Sequence, residues 1–240
     1  MRKIDPLAPA TIKSLLIHGL NNTGKTNVLG SMLNYERQYG KCVMVVMRGE
    51  PFETVFRHDL EGVELREVEK VEELPELARE LQGVHAIALD SVQRLGEMAG
   101  IKITGGKYII GAKEDHGRDW SKLKGETFNA MMYLQQVCDL FVAVCPSNIH
   151  ENQITHEIRV IPDVAGVGEK LVGRFNFCGY LEMKVIDPTH INRTLDFKPR
   201  LDAVTRWNAK GGIPKKVDVV DELDCWVDIK TALERGLRGE

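Results

Sequence analysis

The sequence predicts an α/β protein built on a mostly parallel central sheet. Three observations carry that reading. Short apolar runs of strand length recur at 14–19, 42–47, 84–89 and 141–145. Runs without alternation suit parallel strands covered on both faces. Between them lie stretches with apolar residues at helical spacing, which argues helices packed on the sheet. Beyond Pro146 the alternation gives way to β-segments in hairpin-like succession. A chain of 240 residues suits one core with a short appendage. The expected division is an α/β domain over 1–214 and a C-terminal tail helix over 215–240.

The elements follow in order. Residues 14–19 read as the first buried strand, ending at a glycine. Val28, Leu29, Met32, Leu33 and Tyr35 mark a helix from Lys25 to about Tyr39, stopped by Gly40. Residues 42–47 form the second strand. A glutamate-rich amphipathic helix is expected over 68–82, on Val68, Val71, Leu74, Leu77, Ala78 and Leu81. The third strand, 84–89, ends at Asp90. A helix over 126–140 leads to the fourth strand, 141–145. Further β-segments are expected at 152–161, 176–186 and 191–198, with turns at 163–168 and 187–190. A linker at 211–216 precedes a helix over 221–237 that carries Trp226, Ile229 and Leu233. Its apolar stripe can dock on the body or on a neighbour.

Bulk properties exclude some classes. The net charge is -3, so the chain is no polycation. Contact with nucleic acid would need a local basic patch or several subunits together. No apolar run approaches the roughly 20 residues of a membrane span. The N-terminus lacks an apolar h-region, so no signal peptide is expected and a cytoplasmic location is. The five cysteines are odd in number and show no Cys-x-x-Cys pair, which predicts free thiols in a reducing compartment. His150 and His156-Glu157 have a spacing that fits no usual zinc site. His18 is expected to pack at the end of the first strand.

The segment Gly19-Leu20-Asn21-Asn22-Thr23-Gly24-Lys25-Thr26 matches G-x-x-x-x-G-K-[ST] at every fixed position. Chance gives such a match in about one chain of this length in a hundred, and here a strand precedes it and a helix follows. Gly19 lets the chain leave the strand in a tight turn. Gly24 lets the backbone approach phosphates without a Cβ in the way. Amides of Asn21, Asn22, Thr23, Gly24, Lys25, Thr26 and Asn27 then face an anion at a helix N-terminus. Lys25 is expected to reach the β- and γ-phosphates and Thr26 to ligate Mg²⁺. ATP and Mg²⁺ are therefore the expected ligands.

Asp90 ends a buried strand, where ligands bind in open α/β sheets. The expected role is to hold Mg²⁺ through a water, the Walker-B function. An N-cap for a following helix is the alternative. Ser91 follows it, whereas in the AAA+ class the catalytic base usually stands there. In RecA-type ATPases the base is instead a Glu just beyond the strand after the P-loop helix. Glu50 is the first choice for that base and Glu53 the reserve.

On these residues the chain resembles the phage-encoded minimal RecA-core ATPases, small relatives of RecA grouped with single-strand annealing and recombination. The likeness spans roughly residues 12–215. It rests on residues 19–26, on Leu89-Asp90-Ser91, on Asp119-Trp120, and on a β-rich tail with Thr205-Arg206-Trp207-Asn208-Ala209-Lys210 before Gly-Gly-Ile-Pro. The resemblance implies a RecA-like P-loop NTPase core with a β-hairpin-rich C-terminal part and a C-terminal helix. It implies a DNA-stimulated ATPase in phage or prophage recombination, acting by single-stranded DNA binding, annealing or strand exchange. It also implies a homo-oligomer, ring or filament. A polar γ-phosphate sensor is expected at Ser147 or Asn148, where RecA itself favours Gln. Arg206 or Lys210 would offer a cation to the neighbouring subunit's nucleotide, although the family's Lys-x-Arg order differs here. RecA-like proteins keep a DNA-facing loop after the Walker-B strand. Here residues 102–124 hold Lys102, Lys107, Lys113 and Arg118, with Tyr108 able to stack a base. An ordinary surface loop, or for Trp120 a core anchor, explains the same composition. Residues 163–173 are a second basic candidate. Two rival readings are a nucleotide-gated assembly module with little turnover, and a small-molecule kinase.

Overall fold

The computed structural model describes residues 11–107, 119–151, 156, 158–164, 167–187, 190–198, 203–207, 216–219 and 224–239. Along the chain, β1 (Ser14–Gly19) leads through α1 (Lys25–Glu36) to β2 (Cys42–Met47), β3 (Glu64–Val68), α2 (Leu74–Glu80) and β4 (Val84–Asp90). Then come α3 (Val92–Thr104), α4 (Trp120–Gln135), β5 (Cys138–Glu151), β6 (Ile158–Pro162) and α5 (Gly168–Val172). The chain continues with β7 (Phe177–Asp187), β8 (His190–Asp196), β9 (Arg206–Trp207), β10 (Val217–Asp218) and α6 (Cys225–Arg238). The main path of the sheet runs β10-β8-β7-β1-β5-β4-β2-β3. It is parallel from β7 to β3. The strands β8 and β10 extend it antiparallel, β9 pairs antiparallel with β7, and β6 with the outer half of β5.

Strand alternation sends side chains to two cores. Leu16 joins the face covered by α2, α3, α4 and α5, while Leu15 and Ile17 join the face covered by α1 and α6. Both faces are buried, which is why the inner strands read as continuous apolar runs. Among the described residues no helix is long and apolar enough to cross a membrane.

Several elements depart from expectation, among them α4, which runs Trp120–Gln135 rather than over 126–140. The helix expected over 68–82 starts later, at Leu74, after a 3₁₀ turn over Val71–Glu73. Before it, β3 forms the sheet edge with only Val68 buried, so no apolar run announces that strand. Residues 92–104 form α3, which the sequence marked only through the alternative reading of Asp90 as an N-cap. Ser91 caps it by accepting the Arg94 N–H at 3.3 Å, and Gly105 ends it at φ 61. The cap is thus Ser91 and not Asp90. Another departure is α5, which shares only Gly168 with the turn expected over 163–168 and otherwise has no counterpart in the sequence reading. Its Leu171 and Val172 are buried in the core.

The tail helix docks on the body. Trp226 is fully buried; its backbone N–H donates to Ser31 Oγ at 3.0 Å and its Nε1 to Glu36 Oε1 at 2.7 Å. Lys230 Nζ reaches the same oxygen at 2.8 Å, and His85 Nε2 reaches Oε2 at 2.9 Å. Burial alone would raise the Glu36 pKa. The bonds from Lys230, His85 and Trp226 outweigh it and hold the carboxyl below its ordinary value. A carboxylate depressed in this way stabilises the fold above its unfolded pKa and loses that contribution as pH falls through the folded one. Glu36→Ala is expected to cost roughly 3 kcal/mol at pH 7. Urea unfolding at pH 7 and pH 3 should show the gap to wild type shrinking in acid. An equal gap at both would refute the ionic contribution.

Candidate functional site

The parallel strands end on one line. Gly19 of β1 stands level with Pro146 of β5, Leu89 of β4 with Ala143, and Val46 of β2 with Asp90. Everything that leaves these strands therefore meets at one edge of the sheet. A cleft of about 640 Å³ opens there, lined on one wall by Asn21, Asn22, Gly24, Lys25 and Thr26 and on the other by Glu50, Asp90 and Ser91.

The loop after β1 needs its glycines. A methyl group on Gly19 would stand 2.5 Å from the Leu181 carbonyl oxygen of β7, and backbone cannot yield. Gly24 sits at φ 97 and Asn22 at φ 62. The Val28 N–H bonds back to Gly24 O at 3.1 Å, so the amides before it lie at the open helix end. Lys25 Nζ curls over the loop, donating to Gly19 O at 2.9 Å and Leu20 O at 2.8 Å. Burial lowers its pKa. Asn27 is tied elsewhere: its Oδ1 accepts from His58 Nε2 at 2.8 Å. Its backbone, not its side chain, is what remains for an anion.

Thr26 Oγ1 donates to Asp90 Oδ2 at 2.8 Å. Burial pushes the Asp90 carboxyl up to about 6. Among the described residues no group of three or more His, Cys, Asp or Glu could hold a metal. A hydroxyl and one acid still fit Mg²⁺, which takes one or two protein oxygens and fills the rest with phosphate and water. Opposite, the chain leaves β2 in a tight turn: Glu50 N–H bonds Met47 O at 3.0 Å, with Gly49 at φ 88. That turn aims Glu50 at β4, where Ser91 Oγ donates to Glu50 Oε1 at 2.5 Å. The Asp90–Ser91 peptide is cis. Glu53 is exposed on the 3₁₀ turn Glu53–Arg57 at the rim. Glu50 is thus the acid braced beside Asp90.

Other expected residues lie elsewhere. Asn148 is exposed and lines a second pocket of about 500 Å³ with His150, Asp163 and Lys170, away from the cleft. Ser147 is engaged by His18. The first cleft is lined instead by Pro146 and Gln93. Gln93 Nε2 donates to Asp163 Oδ2 at 2.9 Å, so a residue of the cleft is bonded to one that lines the second pocket. Arg206 pairs with Cys178, level with Leu16 and three residues before Gly19. It is not among the residues lining the cleft. Lys102 lies on α3 and donates to Glu126 of α4 at 2.8 Å. That is a helix–helix ion pair, not part of a loop. Lys107 is exposed in the turn after α3. Tyr108, Lys113, Arg118 and Lys210 lie outside the described residues. Lining residues with no sequence signal are Arg57 and Arg193, the latter from β8.

Between β1 and β5, His18 donates Nε2–H to Val204 O at 2.6 Å, which leaves Nδ1 to accept the Ser147 hydroxyl at 2.9 Å. No protein-family model matches this chain, and no curated protein matches it either.

Burial lowers the His18 pKa from 6.5 to about 4. The folded state therefore binds fewer protons than the unfolded chain between those values. Stability should fall as pH drops from about 6.5 toward about 4, by up to roughly 3 kcal/mol from this group. An NMR titration should find the His18 ring uncharged at pH 5. Titration near the ordinary histidine value would refute the burial account.

Proposed function

We propose that this chain is a RecA-like, Mg²⁺-dependent P-loop ATPase that works on single-stranded DNA in phage recombination. One observation carries the reading. The phosphate-loop residue Thr26 is bonded to Asp90 at 2.8 Å, and the next residue, Ser91, is bonded to Glu50 at 2.5 Å. A metal-ligand pair and a proton acceptor thus stand side by side at the mouth of a phosphate loop. An acid just past the strand after the P-loop helix, with Ser rather than Glu behind Asp90, is the RecA-type placement.

Lys25 and the loop amides hold the triphosphate. Thr26 and Asp90 hold Mg²⁺, which when bound supplies neutralising charge at the phosphate oxygens. Glu50 orients a water and accepts its proton as the water oxygen bonds to the γ-phosphorus and the ADP oxygen leaves. The Ser91 hydroxyl keeps the carboxylate aimed.

The DNA role rests on the resemblance and on Lys107, Tyr108, Lys113 and Arg118. Lys102 drops out because Glu126 engages it. A chain of charge -3 would reach DNA as a homo-oligomer that sums weak patches, with steep loss of binding in salt. Arg206 or Lys210 would then serve a neighbour's nucleotide. The bacterial cytoplasm follows from the same resemblance. A second reading, ATP-gated assembly with little turnover, draws on the Ser91–Glu50 bond, which occupies one oxygen of the Glu50 carboxylate.

Lys25→Ala should lose ATP binding and turnover, each measured with and without single-stranded DNA. Glu50→Gln should cut turnover by about 10²–10⁴ while ATP still binds; Glu53→Gln should change it little. Intact turnover in both variants would sink the catalytic assignment. Binding without turnover in wild type, even with DNA present, would favour gated assembly. If low-salt DNA retention and DNA stimulation are both missing, the recombination role goes.

A further inference from the structure

We infer that Arg193 is a second phosphate-binding cation, supplied to the nucleotide by the same chain that carries the loop. The inference rests on the nucleotide reading above and adds a residue from outside the motif.

Three observations place it. First, the β7–β8 pair is built into the loop's support. Leu181 of β7 presses its carbonyl on Gly19, and Leu181 pairs with Leu195 of β8. Second, strand alternation fixes where Arg193 points. Leu195 buries its side chain in the core beneath α1 and α6. Residue 193, two positions away, projects from the same face, toward the start of α1. Third, the contact itself is close. A methyl group on Gly24 would stand 3.3 Å from Arg193 Nε and 3.4 Å from its Cδ. The guanidinium stem therefore lies against the last glycine of the loop.

The mounting is rigid. Arg193 pairs with Met183 across the ladder, and its carbonyl accepts the Val219 N–H at 2.8 Å. Side chains held on paired strands place their ends more sharply than those on loops. The charge balance also calls for a cation here. The ionisable residues lining the cleft are three cations, Lys25, Arg57 and Arg193, against three acids, Glu50, Glu53 and Asp90. Two of those acids are committed to metal and water in the reading above. A polyphosphate laid along the loop needs more positive charge than Lys25 alone. A planar guanidinium with several N–H donors suits two phosphate oxygens at once. Arg206 lies three residues short of Gly19 in register and does not reach its own cleft. Arg193 therefore makes ground-state binding a property of a single chain, and the ligand class is nucleoside di- and triphosphates.

The test is calorimetric binding of ATP and ADP with Mg²⁺ to wild type, Arg193→Gln, Arg193→Met and Lys25→Ala. Arg193→Gln should weaken both nucleotides by about tenfold or more. Arg193→Met keeps the aliphatic stem and gives the same readout if the Gln variant is unstable. The wild-type affinity should not change between dilute and concentrated protein. Arg193 variants binding ATP within about twofold of wild type, while Lys25→Ala abolishes binding, would overturn the inference. So would binding that appears only at protein concentrations where chains associate. If wild type shows no ATP binding that Lys25→Ala removes, the nucleotide reading itself falls, and that outcome is told apart by the Lys25 variant.

Discussion

The parallel register of β1, β5, β4 and β2 is the constraint on which the site depends. A slip of one residue in any of these strands turns its side chains to the opposite face. It would move Leu16 into the wrong core and pull Asp90 away from Thr26. Apolar side chains on both faces hold the register. Each fully buried Leu, Val or Ile contributes roughly 1.5–3 kcal/mol, and every residue of β1 and β2 is buried. The strands thus fix where the chain turns out of the sheet, and the polar groups at those exits have little freedom left. Gly19 shows how tight the arrangement is, because the carbonyl of Leu181 occupies the space a side chain would need.

Among the buried polar groups, Glu36 and His18 sit at different levels of the fold, each engaged by its surroundings in a different way. Glu36 stays ionised because three donors from β4 and α6 converge on it. His18 stays neutral because a carbonyl and a hydroxyl take its two nitrogens. One draws separate elements together through charge; the other links β1, β5 and the segment before β9 without charge. The cysteines add no covalent ties, since all five are free and four are buried.

How much was legible in the sequence follows from what kind of signal each element carries. Buried strands announce themselves by composition, so 14–19 and 42–47 are readable to the residue. The loop over 19–26 is readable because its glycine spacing is a backbone requirement. The edge strand β3 was hidden by its half-buried Glu64 and exposed Leu65, Arg66 and Glu67. α3 entered only as an alternative to the metal role of Asp90, because its cap is the next residue, Ser91. With the extent of α3 unmarked, Gln93 was not placed in its first turn facing the cleft, and Lys102 was read as loop. Arg193 is a harder case. Its approach to Gly24 depends on β8 folding back on β7, a pairing more than a hundred residues from the loop, and no local pattern encodes it. Glu50 lies just past the second buried strand, as the sequence placed it, and the tight turn at Gly49 brings it to the cleft.

The docking of α6 has a mechanical consequence. Helix α1 is a rod of 12 residues, about 18 Å long at 1.5 Å per residue. One tip is the glycine-bounded loop over 19–26 and the other is Glu36, gripped by Trp226, Lys230 and His85. A rod clamped at its far tip cannot pivot, so the grip at Glu36 limits the angle at which Lys25 and Thr26 meet Asp90. The C-terminal helix thus works as a tailstock, steadying from below an alignment that is needed at the opposite end of the domain.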